Sequence, residues 1–336
     1  MSFLAQILRL PSVKWLIVRV IAPVLDLLFA PATVLAAVLM KVIRRTGVYR
    51  LPVSRWIFLK IGVFPIRDHY YEPLFNPAHL TRPLDEDREL PGIDLNVSGQ
   101  LALLEKFSFQ EELSALPWSS AMELDYYYDN PNFGPGDAEY LYSLVRLMRP
   151  SVILEVGSGM STLLAAKAIA AGRAREPGYQ CRQICIEPYE MPWLEKVPGI
   201  EVIRQRLEEL SLELFLQLKK GDMLFIDSSH VVRPQGDVVR AYLEILPRLA
   251  PGVLVHIHDI FTPRDYPGEW LVDQMRLWNE QYLVEAFLTQ NSGFRVIGAV
   301  NFLSRHYSAQ IKTKCPVLAG NRPLPCLPGS LWLERV

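Results

Sequence analysis

Ile153-Leu-Glu-Val-Gly-Ser-Gly-Met-Ser-Thr162 decides the fold. An apolar strand delivers one acid, Glu155, and breaks into a Gly-Ser-Gly turn; Ser161-Thr-Leu-Leu-Ala-Ala-Lys-Ala-Ile-Ala170 then has the composition of a helix. In an α/β sheet such a corner opens at the carboxyl edge of the strands, where ligands bind. Gly157 and Gly159 let backbone approach a ligand closely, and the helix N-terminus offers free amide donors. Two common ligands are disfavoured. A phosphate-cradling loop carries Lys-Ser/Thr after its second glycine, where this chain has Met160-Ser161. A dinucleotide fingerprint has a third glycine where this chain has Thr162. An acid two residues ahead of the first glycine suits a ligand with an amino group and a cationic centre, which points to S-adenosylmethionine.

Downstream the rhythm is strand, helix, strand. Apolar runs predict strands over residues 152–156, 183–187, 201–204, 223–227 and 253–258, with helices over 161–171, 206–218 and 237–249 between them. A further helix is expected over 270–288, and 294–300 with 330–335 should close the sheet as a final pair. The alternation predicts a mostly parallel sheet with helices on both faces, a Rossmann-like α/β fold. Upstream, 82–91 reads as a charged connector, 100–113 as a helix and 130–136 (Asn-Pro-Asn-Phe-Gly-Pro-Gly) as a turn cluster. Asp137 is placed to cap a helix reaching residue 147. The expected organisation is an apolar helical segment (1–45), an extension or cap (46–120) and a catalytic domain (121–336).

With 336 residues, 50% of them hydrophobic, the chain supports a large core. Its formal charge of −1 and the absence of basic clusters with interleaved aromatics argue against nucleic acid as a partner. Cys181, Cys185, Cys315 and Cys326 form no metal-ligand spacing, so they read as reduced core residues of a cytoplasmic protein. From Trp15 to Met40 the chain is almost wholly apolar, broken by Arg19, Pro23, Asp26 and Pro31 and flanked by Arg9, Lys14, Lys41, Arg44 and Arg45. The stretch is long enough to span a bilayer. Each charge at the bilayer centre would cost about 2.5–3.5 kcal/mol, however. A peripheral, monotopic or re-entrant contact at the inner face of the membrane is therefore favoured over a span or a buried hairpin.

Four strand ends finish in polar groups. Glu155 ends the first. Glu187 ends the second, just before Pro188, where a carboxylate can accept both ribose hydroxyls of a nucleoside. The third runs Ile226-Asp227-Ser-Ser-His230 and the fourth His256-Ile-His258-Asp259. A carboxylate after several buried apolar residues needs a partner or a cation. Asp227 and Asp259 should lie side by side with His230 and His258 nearby, a set that suits Mg²⁺ but also Zn²⁺ or Fe²⁺. Tyr126, Tyr127, Tyr128, Tyr266 and Trp270 are open to two readings, as stacking surfaces for a sugar or as core.

Together, Glu155-Val-Gly-Ser-Gly-Met-Ser161, Glu187, Ile226-Asp-Ser-Ser-His230 and His256-Ile-His-Asp259 resemble the class I S-adenosylmethionine-dependent methyltransferases. The likeness is to the bacterial branch with macrocin-type and other sugar O-methyltransferases, and covers residues 120–336. It implies a seven-stranded sheet whose last strand is antiparallel. Glu155, Gly157 and Gly159, with Ser158 and Ser161 of the same corner, would bind the methionine part of the donor, and Glu187 the ribose. It also implies His230 as the base, with Asp227 and His258 beside it, and Asp227 and Asp259 as Mg²⁺ ligands. His258 stands where metal-dependent relatives carry an acid. The expected acceptor is a sugar or other small hydroxylated molecule, or a lipid-linked saccharide. The rival readings are a nicotinamide oxidoreductase or hydroxylase on a similar sheet, and a membrane-tethered binding protein without chemistry.

Overall fold

Burial on both faces is what makes the central strands continuously apolar. In β1 (Val152–Val156) Ile153 enters one core while Leu154 and Val156 enter the other; in β4 (Met223–Ile226) Met223 and Phe225 separate in the same way from Leu224 and Ile226. With β2 (Arg182–Ile186), β3 (Ile200–Ile203), β5 (Leu254–Ile257), β6 (Phe294–Ala299) and β7 (Leu331–Arg335) they form one seven-stranded sheet of order β3-β2-β1-β4-β5-β7-β6. Strands β1 to β5 pair in parallel, and β7 runs antiparallel to both β5 and β6. The Rossmann-like sheet with its antiparallel last strand is therefore present. Truncating a fully buried side chain here, such as Leu154 to Ala, would cost about 2–5 kcal/mol.

The computed structural model describes residues 17–120 and 124–336. Arg9, Lys14 and Trp15, which open the apolar stretch, lie outside the described residues. The chain divides into two compact units, residues 1–81 and 82–336. The first contains α1 (Ala22–Thr46) and α2 (Pro52–Ile61). No residue of α1 is buried, and Pro31 lies inside it. Among the described residues, Arg19–Thr46 is long and apolar enough to cross a membrane, at a mean hydropathy of 2.0.

In the second unit, residues 82–120 pack with the sheet instead of continuing an extension that ends at 120. The expected helix over 100–113 is two helices, α3 (Val97–Glu105) and α4 (Gln110–Ala115), because Phe107 and Phe109 between them turn into the core. Gln100 of α3 accepts the Ala299 amide at 2.6 Å, tying it to the end of β6.

Asp137 does not cap a helix. Gly136 precedes α5 (Asp137–Met148), and the Asp137 carboxylate accepts the amides of Gly329 and Ser330, each at 2.8 Å, at the start of β7. Helix α6 (Met160–Arg175) follows the glycine corner. The helix expected over 206–218 is reduced to two short turns, Leu207–Glu209 and Glu213–Leu216, which still bury Leu207 and Phe215. Helical turns run over residues 237–248. The helix expected over 270–288 breaks before α7 (Glu280–Leu288), because Trp278 and Asn279 are drawn to the His230 loop.

Candidate functional site

The site begins where the ladder of β1, β2, β4 and β5 runs past the strand ends. Gly157 N–H donates to Ile186 O (3.0 Å), Asp227 N–H to Val156 O (2.8 Å) and His258 N–H to Ile226 O (2.9 Å). This brings the loops after β1 and β4 into contact. Gly157 has φ +77°, and a Cβ on it would lie 1.7 Å from the Asp227 carbonyl oxygen, so only glycine fits. Gly159 differs. A Cβ there would meet only Met191 Cε at 3.8 Å, so this glycine leaves room at the start of α6 without being required by strain.

A cleft of about 490 Å³ opens at this edge, within the usual range for small-ligand sites. Gly157, Ser158, Gly159, Ser161, Glu187 and Asp227 all line it. Glu155 does not. Its buried carboxylate accepts Ser161 Oγ at 2.5 Å and Thr162 Oγ1 at 2.6 Å, pinning the first turn of α6 to β1. Burial pushes its pKa up to about 7, against the lowering effect of the two hydroxyls. The acid expected to meet the ligand instead anchors the helix whose first turn lines the cleft. Glu187 is held at the rim: Oε1 accepts the amides of Tyr189 (3.0 Å) and Glu190 (2.8 Å), and Oε2 that of Ser158 (3.4 Å).

Asp227 joins the cleft to a second cluster. His230 Nε2 lies 3.3 Å from Asp227 Oδ1 and 3.6 Å from Asp259 Oδ2. The donor atoms of these three residues fall within 4.8 Å of one another, an arrangement able to hold a metal ion. On the other side of the ring, His230 Nδ1 meets Glu280 Oε2 at 2.8 Å. The amides of Asn279 and Glu280 donate to His230 O (3.0 and 3.1 Å), and Trp278 packs its ring 4.3 Å from the imidazole. His230 and Asp259 both have left-handed backbone, with φ of 57° and 58°. Such strain in non-glycine residues persists where surroundings impose it, commonly at ligand sites.

The charges follow from this packing. Burial works against a charged His230, yet its hydrogen bonds to Asp227 and Glu280 hold its pKa well above the usual value. Burial likewise opposes an ionised Asp227, but the charge of His258 and the hydrogen bond to His230 keep its pKa below the ordinary carboxylate value. Asp259 is pushed up, chiefly by burial. The carboxylates around His230 therefore favour its charged form.

His258 is buried behind Asp259, 3.6 Å from its Oδ1, with its Nε2 3.3 Å from Asn132 O. It neither lines the cleft nor joins the three-residue cluster, so it acts on Asp227 through charge and not by contact. His256 shares its sheet face and is a core residue, stacked on Phe225 at 3.8 Å and bonded to Ser330 Oγ at 2.8 Å. Burial drives its pKa well down.

The core reading also holds for Tyr126, Tyr128 and Tyr266, all fully buried, with the Tyr126 and Tyr128 hydroxyls donating to main-chain carbonyls. Trp270 remains half-buried, with its ring 5.3 Å from that of Trp278.

Several residues were not singled out from sequence. Asn132 and Phe133, in a segment that reads only as a turn, line the cleft. Asp237 accepts both the amide (2.8 Å) and the hydroxyl (2.7 Å) of Ser229, fixing the loop between Asp227 and His230. Glu280 lies 50 positions from its histidine, and nothing local marks it.

Comparison with known proteins adds an independent finding. Residues 154–260 match a methyltransferase domain family. The matched segment, less than half of the 336 residues, runs from β1 through the second cluster and supports a methyltransferase. An uncharacterised protein of Archaeoglobus fulgidus is 28% identical over 171 residues, covering 47% of this chain and 75% of that protein. A crystal structure from Thermobifida fusca, described only as a candidate methyltransferase, covers 75% of this chain and 96% of that one at 14% identity and a TM-score of 0.38.

Proposed function

We propose that this protein is an S-adenosylmethionine-dependent O-methyltransferase acting on a sugar or another small hydroxylated acceptor. The observation that carries the reading is the junction at Asp227, which belongs both to a cleft built from a glycine corner and to an acid–histidine cluster centred on the buried His230. The residues fit the donor: open space over Gly159, the amides opening α6, and the Glu187 carboxylate at the rim. Bound there, the donor supplies a methyl group on a sulfonium sulfur, which an acceptor hydroxyl takes by in-line displacement as its proton leaves.

This chain's own work is positioning and proton removal. A sugar hydroxyl is a very weak acid, and carboxylates that favour a protonated His230 leave it less able to take that proton unaided. Asp227, His230 and Asp259 would hold a divalent ion, the Nε2 proton passing to solvent as the ion binds; its charge would acidify the hydroxyl, whose proton would pass to solvent water while the methyl C–S bond breaks and the C–O bond forms. One imidazole and two carboxylates form a mixed nitrogen–oxygen set, which suits Mn²⁺, Fe²⁺ or Zn²⁺ at least as well as the Mg²⁺ inferred from sequence. Glu280 orients His230 through Nδ1, leaving Nε2 to face the carboxylates.

Thermal unfolding tests the donor directly. S-adenosylhomocysteine should raise the melting temperature in a concentration-dependent way and NAD should not. A shift with NAD alone would overturn the reading. For the acceptor, glycolipid and polysaccharide from a strain lacking this chain should miss one methyl increment; unchanged material would exclude that class.

A further inference from the structure

The first unit carries a pattern that methyl transfer does not use. Between residues 41 and 67 the chain has seven Lys and Arg and no Asp or Glu. Two of them are matched internally: Arg44 and Arg67 both reach Glu72. The other five, Lys41, Arg45, Arg50, Arg55 and Lys60, are exposed. Arg50 lies over the Tyr49 ring at 5.1 Å and Lys60 over the Trp56 ring at 4.8 Å, so cations and aromatic rings stand side by side. Tyr49 and Trp56 are themselves 76% and 60% exposed.

This band lies at the C-terminal end of α1, whose apolar side chains are all unburied; Leu27 and Leu35 are 76% and 73% exposed. In α2, Val53, Trp56, Ile57 and Leu59 are exposed as well. Water-facing surfaces do not carry apolar area on this scale without a partner. The chemistry names that partner. An apolar helix is followed along the chain by Lys41, Arg44 and Arg45 and then by exposed aromatic rings interleaved with further cations (Tyr49, Arg50, Arg55, Trp56, Lys60), the residue types that meet hydrocarbon, interface and headgroup in a bilayer leaflet. A cluster of this size next to an apolar helix reads anionic lipid.

We propose that residues 41–67 form a headgroup-binding collar that docks this protein on an anionic lipid leaflet, with α1 inserted in the hydrocarbon. The charge-free run from Leu27 to Met40 is 14 residues, about 21 Å of helix at 1.5 Å per residue, short of a hydrocarbon core of about 30 Å. Insertion alone is thus an incomplete anchor, and the collar supplies the second attachment. The excess of cations at this end sets it on the cytoplasmic face. The inference is independent of the reaction proposed above.

Flotation of the purified full chain, diluted from detergent onto vesicles, tests it. Binding to phosphatidylcholine vesicles containing phosphatidylglycerol should exceed binding to phosphatidylcholine alone by about tenfold or more, and the difference should shrink as salt rises. The variant Arg45→Glu/Arg50→Glu/Arg55→Glu/Lys60→Glu should lose the preference for the anionic vesicles, keep its residual binding to neutral ones, and melt at the same temperature. Equal binding of the unaltered chain to both vesicle types would overturn the proposal. So would a charge-reversed variant that keeps the preference, or a chain that stays off vesicles as a discrete soluble oligomer.

Discussion

The two walls of the cleft are built on different principles. The wall after β1 and β2 is largely main chain: Gly157, Ser158 and Gly159 come from one turn, the buried Glu155 holds the helix to the strand, and Glu187 is fixed at the rim by backbone amides. The wall after β4 and β5 is made of side chains from distant positions. His230 is held at once by Asp227, Asp259 and Glu280. The first wall can therefore be damaged by adding a single carbon, and the second by changing a charge while the backbone stays in place. A local turn suits a ligand common to a whole class of enzymes, whereas an assembled cluster can be adapted to one reaction.

Breaking each wall separately should expose this difference. The largest effect falls on Gly157→Ala. Its new Cβ would sit on the Asp227 carbonyl at a positive φ, so the variant should fail to fold or should unfold at much lower temperature. Gly159→Ala should fold normally and bind S-adenosylhomocysteine less tightly, as isothermal titration would show. If the two variants behave alike, the assignment of strain to one glycine and ligand space to the other is wrong.

Next in size is the second wall. Asp227→Asn and His230→Ala should each lower methyl transfer by about 10²–10⁴-fold, while the thermal shift with S-adenosylhomocysteine stays close to that of the unaltered protein. Glu280→Gln, which keeps the shape but weakens the grip on Nδ1, should cost less and should weaken metal binding measured by competition with a chelating dye. Retained transfer in the first two variants would remove this cluster from the chemistry.

The smallest effect concerns a buried acid away from both walls. Glu139 accepts amides of Gly136, Val317 and Leu318, and burial outweighs them, raising its pKa from 4.5 to about 7. Folded protein keeps a proton there that the unfolded chain releases above about pH 4.5. Stability from this group is therefore full below pH 4.5 and is lost as pH climbs through about 7, by about 3 kcal/mol in all. Glu139→Gln should be less stable overall but should flatten that part of the pH profile of the melting temperature. A parent profile that rises over the same interval would contradict it.

Much of this was legible along the chain. Strands β1, β2, β4 and β5 follow from mostly apolar runs, because strands covered on both faces bury nearly every side chain; the edge strand β3 carries the exposed Glu201. The polar residue that ends each run marks the carboxyl edge, which is why Glu187, Asp227 and Asp259 were found where they are. Helix boundaries after residue 205 were less legible. Apolar spacing over 206–218 fits a helix and a pair of short turns equally, and only packing chooses between them.

The sequence by itself determined the sheet, the glycine corner, the acids at its rim and the cationic band beside an apolar helix. These depend on burial period, backbone freedom and local charge, all of which are local properties. Tertiary structure alone decided that Glu155 faces a helix and not the cleft, that His256 is core, that His258 stands behind the cluster, and that Glu280 grips His230 from 50 positions away. The direction a buried acid faces, and the charge a buried histidine carries, are set by neighbours the fold brings together. No reading of one strand end at a time contains them.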